Sequence, residues 1–380
     1  MRPLALALAV LALGCVDQPA QSQQTPPPQS ATDGPLAQSV EMMGDEIAAG
    51  RRTAITRAVE AASPAVVSVN VIEVRQVRVR DPFAGFFGGV PDRVVQQQLQ
   101  GLGSGFVISP DGYIVTNDHV AGNATKITVA FPDGSQLDAE LIGSDPETDI
   151  ALLKVSPEAD LPYLAFEDRE DAIVGEWAIA LGNPFGLFEA AEPSVTVGVV
   201  SAVGRDFPAQ GGRTFRDMIQ TDAAINSGNS GGPLVDATGR VIGMNTFIFS
   251  RSGGSVGIGF AVPSWRIERV VAELRETGEV DRSFYTGLNV RPVNRRIARA
   301  LGLEEARGLI VASVDAGSPA ERAGIQAYDV IVAIGGEPVE SNDDVRQRLV
   351  DNRAGDEVTL GVVRDGDALD LPLTLGQSGS

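Results

Sequence analysis

Three residues far apart in the chain have the types needed for nucleophilic acyl transfer. His119 stands in Thr-Asn-Asp-His-Val (116–120), Asp149 opens an apolar run at 150–153, and Ser230 stands in Gly-Asn-Ser-Gly-Gly (228–232). A serine hydroxyl needs a base to take its proton, and an aspartate to hold the imidazole in the right tautomer. His119 is the chain's single histidine, so no other imidazole can be that base.

The alternative for His119 is a satisfied structural histidine, which a lone histidine usually is. Asp149 favours the catalytic reading, because a carboxylate that opens an apolar run is drawn to the edge of the core and needs a polar partner. An imidazole N–H would satisfy it. The competing carboxylate, Asp145, lies in a Ser-Asp-Pro turn, and we expect it to be solvated.

Glycines on both sides of Ser230 let the backbone turn tightly and leave amide groups uncrowded. The N–H groups of Gly228 and Ser230, which flank Asn229, would bind an oxyanion. The predicted oxyanion-hole residues are Gly228 and Asn229, in the turn before the serine. The alternative is a polar hairpin turn. The order His, Asp, Ser is that of chymotrypsin-type proteases, and differs from the orders in subtilisins and α/β-hydrolases.

Short apolar runs between turn signals must position these residues. An Asp-Gly turn at 111–112 separates two runs and is a strong hairpin signal. One helix follows the runs, with Ser264 as its expected N-cap and Gly278 as its end. Many short strands at fairly regular spacing predict an antiparallel barrel or sandwich pair. The runs are 66–72, 105–109, 113–116, 127–131, 137–142, 150–155, 178–181, 195–203, 241–249 and 259–262.

Composition narrows the function classes. The net charge of −20 over 380 residues repels phosphate backbones, so we expect no nucleic-acid partner. One cysteine and one histidine cannot form a Cys/His metal cluster; a carboxylate-rich site is the alternative, but no spaced ligand motif suggests one, so we expect no metal.

The N-terminus reads as a secretory signal. Met1-Arg2 precedes an apolar run at 4–13, and the sole cysteine, Cys15, sits at the break. This arrangement resembles a bacterial lipoprotein signal, so residues 1–15 would end at a lipidated Cys15; a plain cleaved signal is the alternative. Residues 16–50 are rich in Pro and Gln and read as a linker. Lipid chains would tether an acidic domain to a membrane without a basic patch.

From about residue 51 to the C-terminus the chain resembles the HtrA/Deg family of serine proteases, with a trypsin-like protease domain at 51–280. The motifs around His119, Ser144 through Lys154, Gly182 through Gly186, and Gln220 through Leu234 all match in order and spacing. The resemblance implies a mostly β fold, a chymotrypsin-like double β-barrel of two perpendicular six-stranded barrels with the triad between them. It also implies a homotrimer that cleaves unfolded or misfolded envelope proteins in the periplasm without a cofactor.

Two further assignments depend on this resemblance. The pocket for the residue before the cut would be lined by the segment ahead of the serine, where Ala224 and Ile225 stand. These residues give the pocket no buried carboxylate to pair with Lys or Arg, so we expect cleavage after Val, Ala or Ile. Arg205 resembles the family's regulatory arginine in a loop that senses activation; an ordinary surface loop is the alternative.

The region 283–376 resembles a PDZ domain, a small α+β module. Tyr285, Thr286, Gly287 and Leu288 match the carboxylate-binding loop, where successive N–H groups capture a peptide's C-terminus. The peptide would add as a strand beside a helix that begins with a capping box at Ser341. A plain packing module is the alternative. A single PDZ domain after the protease domain is closer to the layout of membrane-tethered, regulatory Deg proteins than to that of the degrading members with two PDZ domains.

Two functions fit these features. The first is a lipid-anchored periplasmic serine endopeptidase of envelope quality control or stress signalling, gated by hydrophobic C-terminal peptides on the PDZ domain. The second is a proteolytically silent PDZ adaptor or holdase chaperone. Labelling of Ser230 by an organofluorophosphonate discriminates between them.

Overall fold

The computed structural model describes residues 50–79, 93–167, 172–184, 192–210, 212–226, 228–248, 256–303 and 305–377. The predicted signal, Cys15 and nearly all of the linker lie outside these residues. Every element below belongs to the unit Arg52–Ser380.

The first half of this unit is a closed six-stranded antiparallel barrel. A short helix, α1 (Ala54–Ala62), precedes it, and another, α2 (Asp118–Ala121), follows its third strand. The strand order around the barrel is β1-β2-β3-β6-β5-β4. Gly112, at φ +97°, forms the predicted hairpin turn between β2 and β3. The strands are β1 (Val66–Val79), β2 (Arg93–Val107), β3 (Tyr113–Thr116), β4 (Lys126–Ala130), β5 (Gln136–Asp145) and β6 (Ile150–Lys154).

A second closed barrel follows, with strand order β10-β11-β12-β9-β8-β7. Residues of both barrels share one buried apolar cluster, which places the two barrels side by side. The predicted double barrel is therefore confirmed. Its strands are β7 (Trp177–Gly182), β8 (Ser194–Gln210), β9 (Arg213–Thr221), β10 (Pro233–Val235), β11 (Val241–Ile248) and β12 (Gly259–Pro263).

The helix α3 (Ser264–Thr277) follows the last strand of the second barrel and packs its apolar face into the shared core. Gly278 ends it in the left-handed conformation, at φ 79°, as predicted. The predicted N-cap was wrong. Pro263 holds the cap position, and Ser264 is the first helical residue, because β12 runs directly into the helix and buries Ser264.

The C-terminal part forms a separate sheet with its own core. Its sheet order is β14-β15-β16-β18-β19, with β17 beside β16 and a small β13–β20 pair. The capping box predicted at Ser341 is present, with Asp344 as its reciprocal partner. The elements are β13 (Phe284–Tyr285), β14 (Leu288–Pro292), α4 (Arg295–Leu301), β15 (Leu309–Val314), α5 (Pro319–Arg322), β16 (Val330–Ile334), β17 (Glu337–Pro338), α6 (Asn342–Arg348), β18 (Glu357–Arg364), β19 (Asp367–Thr374) and β20 (Gly376–Gln377).

None of the helices within the described ranges combines the length and apolar character needed to cross a bilayer. The same ranges contain no group of three or more acidic, histidine or cysteine side chains placed to hold a metal ion.

Candidate active site

His119 and Asp149 are brought together although 30 residues separate them in the chain. The Nδ1 atom of His119 lies 2.8 Å from Asp149 Oδ2 and 3.0 Å from Oδ1, and the backbone N–H of His119 donates to Oδ1 at 3.0 Å. Asp149 is 1% exposed, whereas 36% of the imidazole is exposed. The buried carboxylate can therefore hold Nδ1 protonated and turn Nε2 toward the cleft.

The local chain geometry places Asp149 at this point. The residue has φ 62°, a left-handed conformation that aspartate adopts more readily than most residues. It ends the β5–β6 turn, and the Nδ2 of buried Asn117 donates to its carbonyl at 2.9 Å. The turn and Asn117, which precedes α2, thus fix both partners of the pair.

Ser230 opens onto the same cleft as His119. The cleft has a volume of about 540 Å³, and its lining includes His119, Gly228, Ser230 and Arg213. In this conformation the Ser230 hydroxyl donates to the carbonyl of Thr246 at 3.1 Å. The hydroxyl must turn from this acceptor to pass its proton to His119.

Gly228 and Asn229, the oxyanion residues predicted from the sequence, lie in the tight loop before Ser230. Gly228 has φ +107°, and a Cβ there would come within 2.5 Å of Pro184 Cβ, so only glycine fits. The N–H of Asn229 donates to Asn226 O at 3.0 Å and closes the turn. Asn229 therefore shapes the loop, and the amides that can serve an oxyanion are those of Gly228 and Ser230.

Ser104 anchors this loop and was missed from the sequence. Its buried hydroxyl accepts the N–H of Asn183 at 2.8 Å and donates to Gly228 O. Its own N–H donates to Ser230 O at 2.9 Å. The sequence did contain a hint of this role. Ser104 stands between Gly103 and Gly105 at the start of an apolar run, and a serine hydroxyl buried there needs hydrogen-bond partners.

Arg213 was also missed. Its Nε donates to Asp149 Oδ1 at 3.0 Å, and its Nη2 donates to Asp118 Oδ2 at 3.1 Å. The arginine begins β9 in the second barrel, whereas both aspartates belong to the first. Nothing local in the sequence pairs these residues.

Asp145 is not solvated, contrary to the sequence expectation. It is buried, and its two oxygens accept from Nη1 and Nη2 of Arg282 at 2.8 and 2.6 Å. Burial acts to raise the pKa of Asp145, but the bonds from Arg282 and Thr148 outweigh it and hold the pKa below its usual range. The sequence expectation failed because Arg282 lies 137 residues further along the chain.

The two residues predicted to set specificity, Ala224 and Ile225, lie apart from the described lining of the cleft. Ile225 is buried in the core of the second barrel against Gly259, and Ala224 is half-buried. The carbonyl of Ala224 accepts the hydroxyl of Thr196 at 2.8 Å. Both residues are apolar, and Ile225 packs among the aliphatic side chains of that core cluster.

Arg205, the predicted regulatory residue, is exposed on β8 opposite Met218. Its neighbours contact the C-terminal module: Asp206 accepts from Arg348 at 2.6 Å, and Phe207 O accepts from Gln347 at 2.7 Å. The β8–β9 hairpin therefore contacts the last turn of helix α6.

An apolar groove of about 430 Å³ runs along α6 in the C-terminal module. Of the predicted peptide-binding residues, Thr286 and Leu288 line it. The hydroxyl of Tyr285 donates to Asp315 at 2.7 Å, and this bond raises the pKa of Tyr285. Gly287, at φ +76°, packs so closely that a Cβ would come within 2.1 Å of Ser318 Cβ.

Comparisons with known proteins agree with this architecture. A model of the trypsin-like peptidase domain matches residues 103–244, and a model of the PDZ domain matches residues 285–375. The structure of an HtrA-type protease, AlgW with decapeptide, aligns with a TM-score of 0.60 at 38% identity, covering 85% of this chain and 98% of that one.

Two sequence relatives are named probable periplasmic serine endoprotease DegP-like. The protein from Chlamydia trachomatis serovar D is 45% identical over 301 residues, which is 78% of this chain and 59% of the relative. The protein from Brucella suis biovar 1 is 47% identical over 286 residues, 73% of this chain and 54% of the relative. The chain thus spans little more than half the length of these relatives.

Proposed function

The chain belongs to the HtrA family of serine proteases, and from that premise we propose that it is a serine endopeptidase with Ser230 as nucleophile, His119 as base and Asp149 as the orienting carboxylate. The observation that carries the proposal is the buried pairing of Asp149 with His119 Nδ1 at 2.8 Å, on the cleft that Ser230 also lines. An unpaired buried carboxylate would be costly, and the imidazole satisfies it while keeping Nε2 for chemistry.

The reaction follows from this arrangement. The Ser230 oxygen attacks the scissile carbonyl as His119 Nε2 takes its proton, and Asp149 stabilises the resulting imidazolium. The N–H groups of Gly228 and Ser230 receive the oxyanion; loss of one such donor costs ~3 kcal/mol in the barrier. The imidazolium then protonates the leaving amine. Water, deprotonated by the same imidazole, then attacks the acyl carbon, and the Ser230 oxygen leaves as the imidazolium returns a proton to it.

Cleavage after small or branched apolar residues is proposed from the family resemblance, in which the segment with Ala224 and Ile225 lines the pocket; the described lining of the cleft includes neither residue. A preference for Lys or Arg would require a carboxylate in the pocket, as trypsin has. A peptide series that differs only in the residue before the cut tests this: Val, Ala and Ile should be cut faster than Arg, and fastest cleavage after Arg would exclude it.

We place the protein in the periplasm, anchored to a membrane through lipid on Cys15 and acting on unfolded or misfolded envelope proteins as a homotrimer. The location is supported by the names of its relatives and by the signal-like N-terminus. Labelled palmitate incorporation that is lost in Cys15→Ala, and the mass of the purified protein in solution, would test the anchor and the trimer.

Peptide binding to the PDZ groove is the proposed gate. The apolar lining around Leu288 suits a hydrophobic C-terminal side chain. Gly287 stands between the groove residues Thr286 and Leu288, which supports this loop as the one whose N–H groups capture the carboxylate. The groove is also lined by Glu147, from the turn that carries Asp149. Arg205 is assigned to this regulation. Arg205→Ala should weaken activation by peptide, and unchanged activation would remove it from the gate.

The second candidate, a silent PDZ adaptor or holdase, is favoured by one observation: the Ser230 hydroxyl donates to Thr246 O. Organofluorophosphonate labelling decides between the two. The wild type should label, more strongly with a peptide that ends in an apolar residue, and Ser230→Ala should not. Absence of labelling in the wild type, even with such peptides, would establish the silent protein.

A further inference from the structure

Arg213 joins the two barrels at the proposed triad. Its guanidinium contacts Asp149 and Asp118 at 3.0 and 3.1 Å, with 27% of the arginine side chain exposed and the carboxylates 1% and 6% exposed. The neighbouring N–H of Thr214 donates to Glu147 O at 2.7 Å, so the hairpin that carries Arg213 is tied to the turn that carries Asp149.

The charges around His119 require this arginine. Asp149 bonds to the imidazole ring, and Asp118, which precedes His119 in the chain, shares the Arg213 guanidinium with Asp149, so two nearly buried carboxylates belong to the charge cluster of one imidazole. Buried carboxylates are stable only when paired. In the described part of the chain, the ion pairs of these two aspartates are those with Arg213 and His119. A planar guanidinium has donors pointing in two directions and can serve both, which a lysine ammonium does less well.

We propose that Arg213 is a positioning residue for the reaction: it fixes Asp149 against His119 and balances the charge of Asp118. The inference rests on the proposed triad. When His119 takes the Ser230 proton, two cations face two carboxylates, and the net charge of the cluster is zero. Without Arg213, the same two carboxylates face the imidazole alone. His119 then keeps its proton to higher pH, and less of the enzyme holds the free base.

Other charged groups near the cleft are already paired. Glu73 and Arg75, which line the cleft beside His119, form an ion pair at 2.7 Å. Asp145 and Glu147, at the start of the turn, face Arg282. Replacing Arg213 therefore changes the charge balance among His119, Asp118 and Asp149 and leaves these other ion pairs in place.

The pH dependence of kcat/KM for a chromogenic peptide with an apolar residue before the cut tests the inference in the full chain. We expect Arg213→Ala to move the acid limb upward by about one pH unit and to lower kcat/KM below that limb about tenfold. The loss should appear in kcat more than in KM. Adding Asp118→Asn removes the unbalanced charge and should move the limb back. Asp118→Asn alone should move it downward, and Arg213→Lys should lie between wild type and Arg213→Ala.

The matched control is Lys126→Ala, which removes an exposed cation paired with Asp138 in the same barrel. An acid limb that stays in place in Arg213→Ala, or that Asp118→Asn does not restore, overturns the inference. If Arg213→Ala fails to fold, the other two variants test the inference. A downward shift of the acid limb in Asp118→Asn and an upward shift in Arg213→Lys support it, and an unmoved limb in both overturns it. Fluorophosphonate labelling of the wild type separates the two claims, because its failure rejects the triad whatever Arg213 does.

Discussion

Arg282 pairs with Asp145 through two parallel hydrogen bonds, so the segment that leads into the PDZ module is fastened to the turn that ends at Asp149. The Nε of Arg282 also donates to Val350 O at 2.8 Å, two residues past the end of helix α6. Arg282 lines the peptide groove as well. One side chain thus contacts the groove, the PDZ helix region and the turn of the proposed catalytic carboxylate.

Removing this arginine should destabilise the protein. Arg282→Ala leaves Asp145 buried without its main partner, which costs about 3–5 kcal/mol. Asp145→Asn in the same background removes the stranded charge and should recover part of the loss. Urea unfolding followed by tryptophan fluorescence measures both, with Arg307→Ala, an exposed arginine of the PDZ module, as control. A midpoint for Arg282→Ala equal to that of the control would show that the pair contributes nothing.

The same pair makes stability depend on pH in a defined direction. The pKa of Asp145 is held below its ordinary value in the folded state. Its contribution is therefore fully present above the unfolded pKa of about 3.9 and is lost as pH falls through the folded pKa. Acidification from about pH 5 to 3 should lower the urea midpoint of the wild type more than that of Asp145→Asn. Equal slopes would contradict the assignment, and Asp138→Asn, at an exposed carboxylate, serves as control.

The loop anchor Ser104 should affect rate more than stability. Ser104→Ala removes the acceptor of Asn183 N–H and the donor to Gly228 O, so the amides proposed for the oxyanion lose their fixed orientation. We expect kcat to fall about 100-fold, the scale for loss of an oxyanion donor, with KM little changed. Ser68→Ala, at another fully buried serine of the same barrel, is the matched control. Equal kcat in the two variants would remove Ser104 from the oxyanion loop.

The strand pattern alone predicted an antiparallel barrel or a sandwich pair, and the resemblance to the HtrA/Deg family implied the double barrel. The pairing of His119 with Asp149 could be predicted from local sequence. Short apolar runs and turns define barrel strands, and a carboxylate that opens a buried run must find a donor. The roles of Arg213, Arg282 and Ser104 could not be predicted in this way. Arg282 lies 137 residues from Asp145, and Arg213 lies 64 residues from Asp149. Their contacts depend on how two barrels and a third module pack, and no local pattern encodes that.

The carboxylate-binding loop of the PDZ module can be tested with two glycines of the same backbone conformation. Gly287 and Gly302 have φ +76° and +68°, but a Cβ at 287 would meet Ser318 Cβ at 2.1 Å, whereas nothing lies within 4 Å of one at 302. Alanine strains the backbone at both sites, so the difference between the variants reports the clash. Gly287→Ala should displace the loop and weaken binding of a fluorescent peptide with an apolar C-terminus at least tenfold, while Gly302→Ala should bind as the wild type does. Equal affinities in the two variants would mean that the carboxylate is captured elsewhere in the groove.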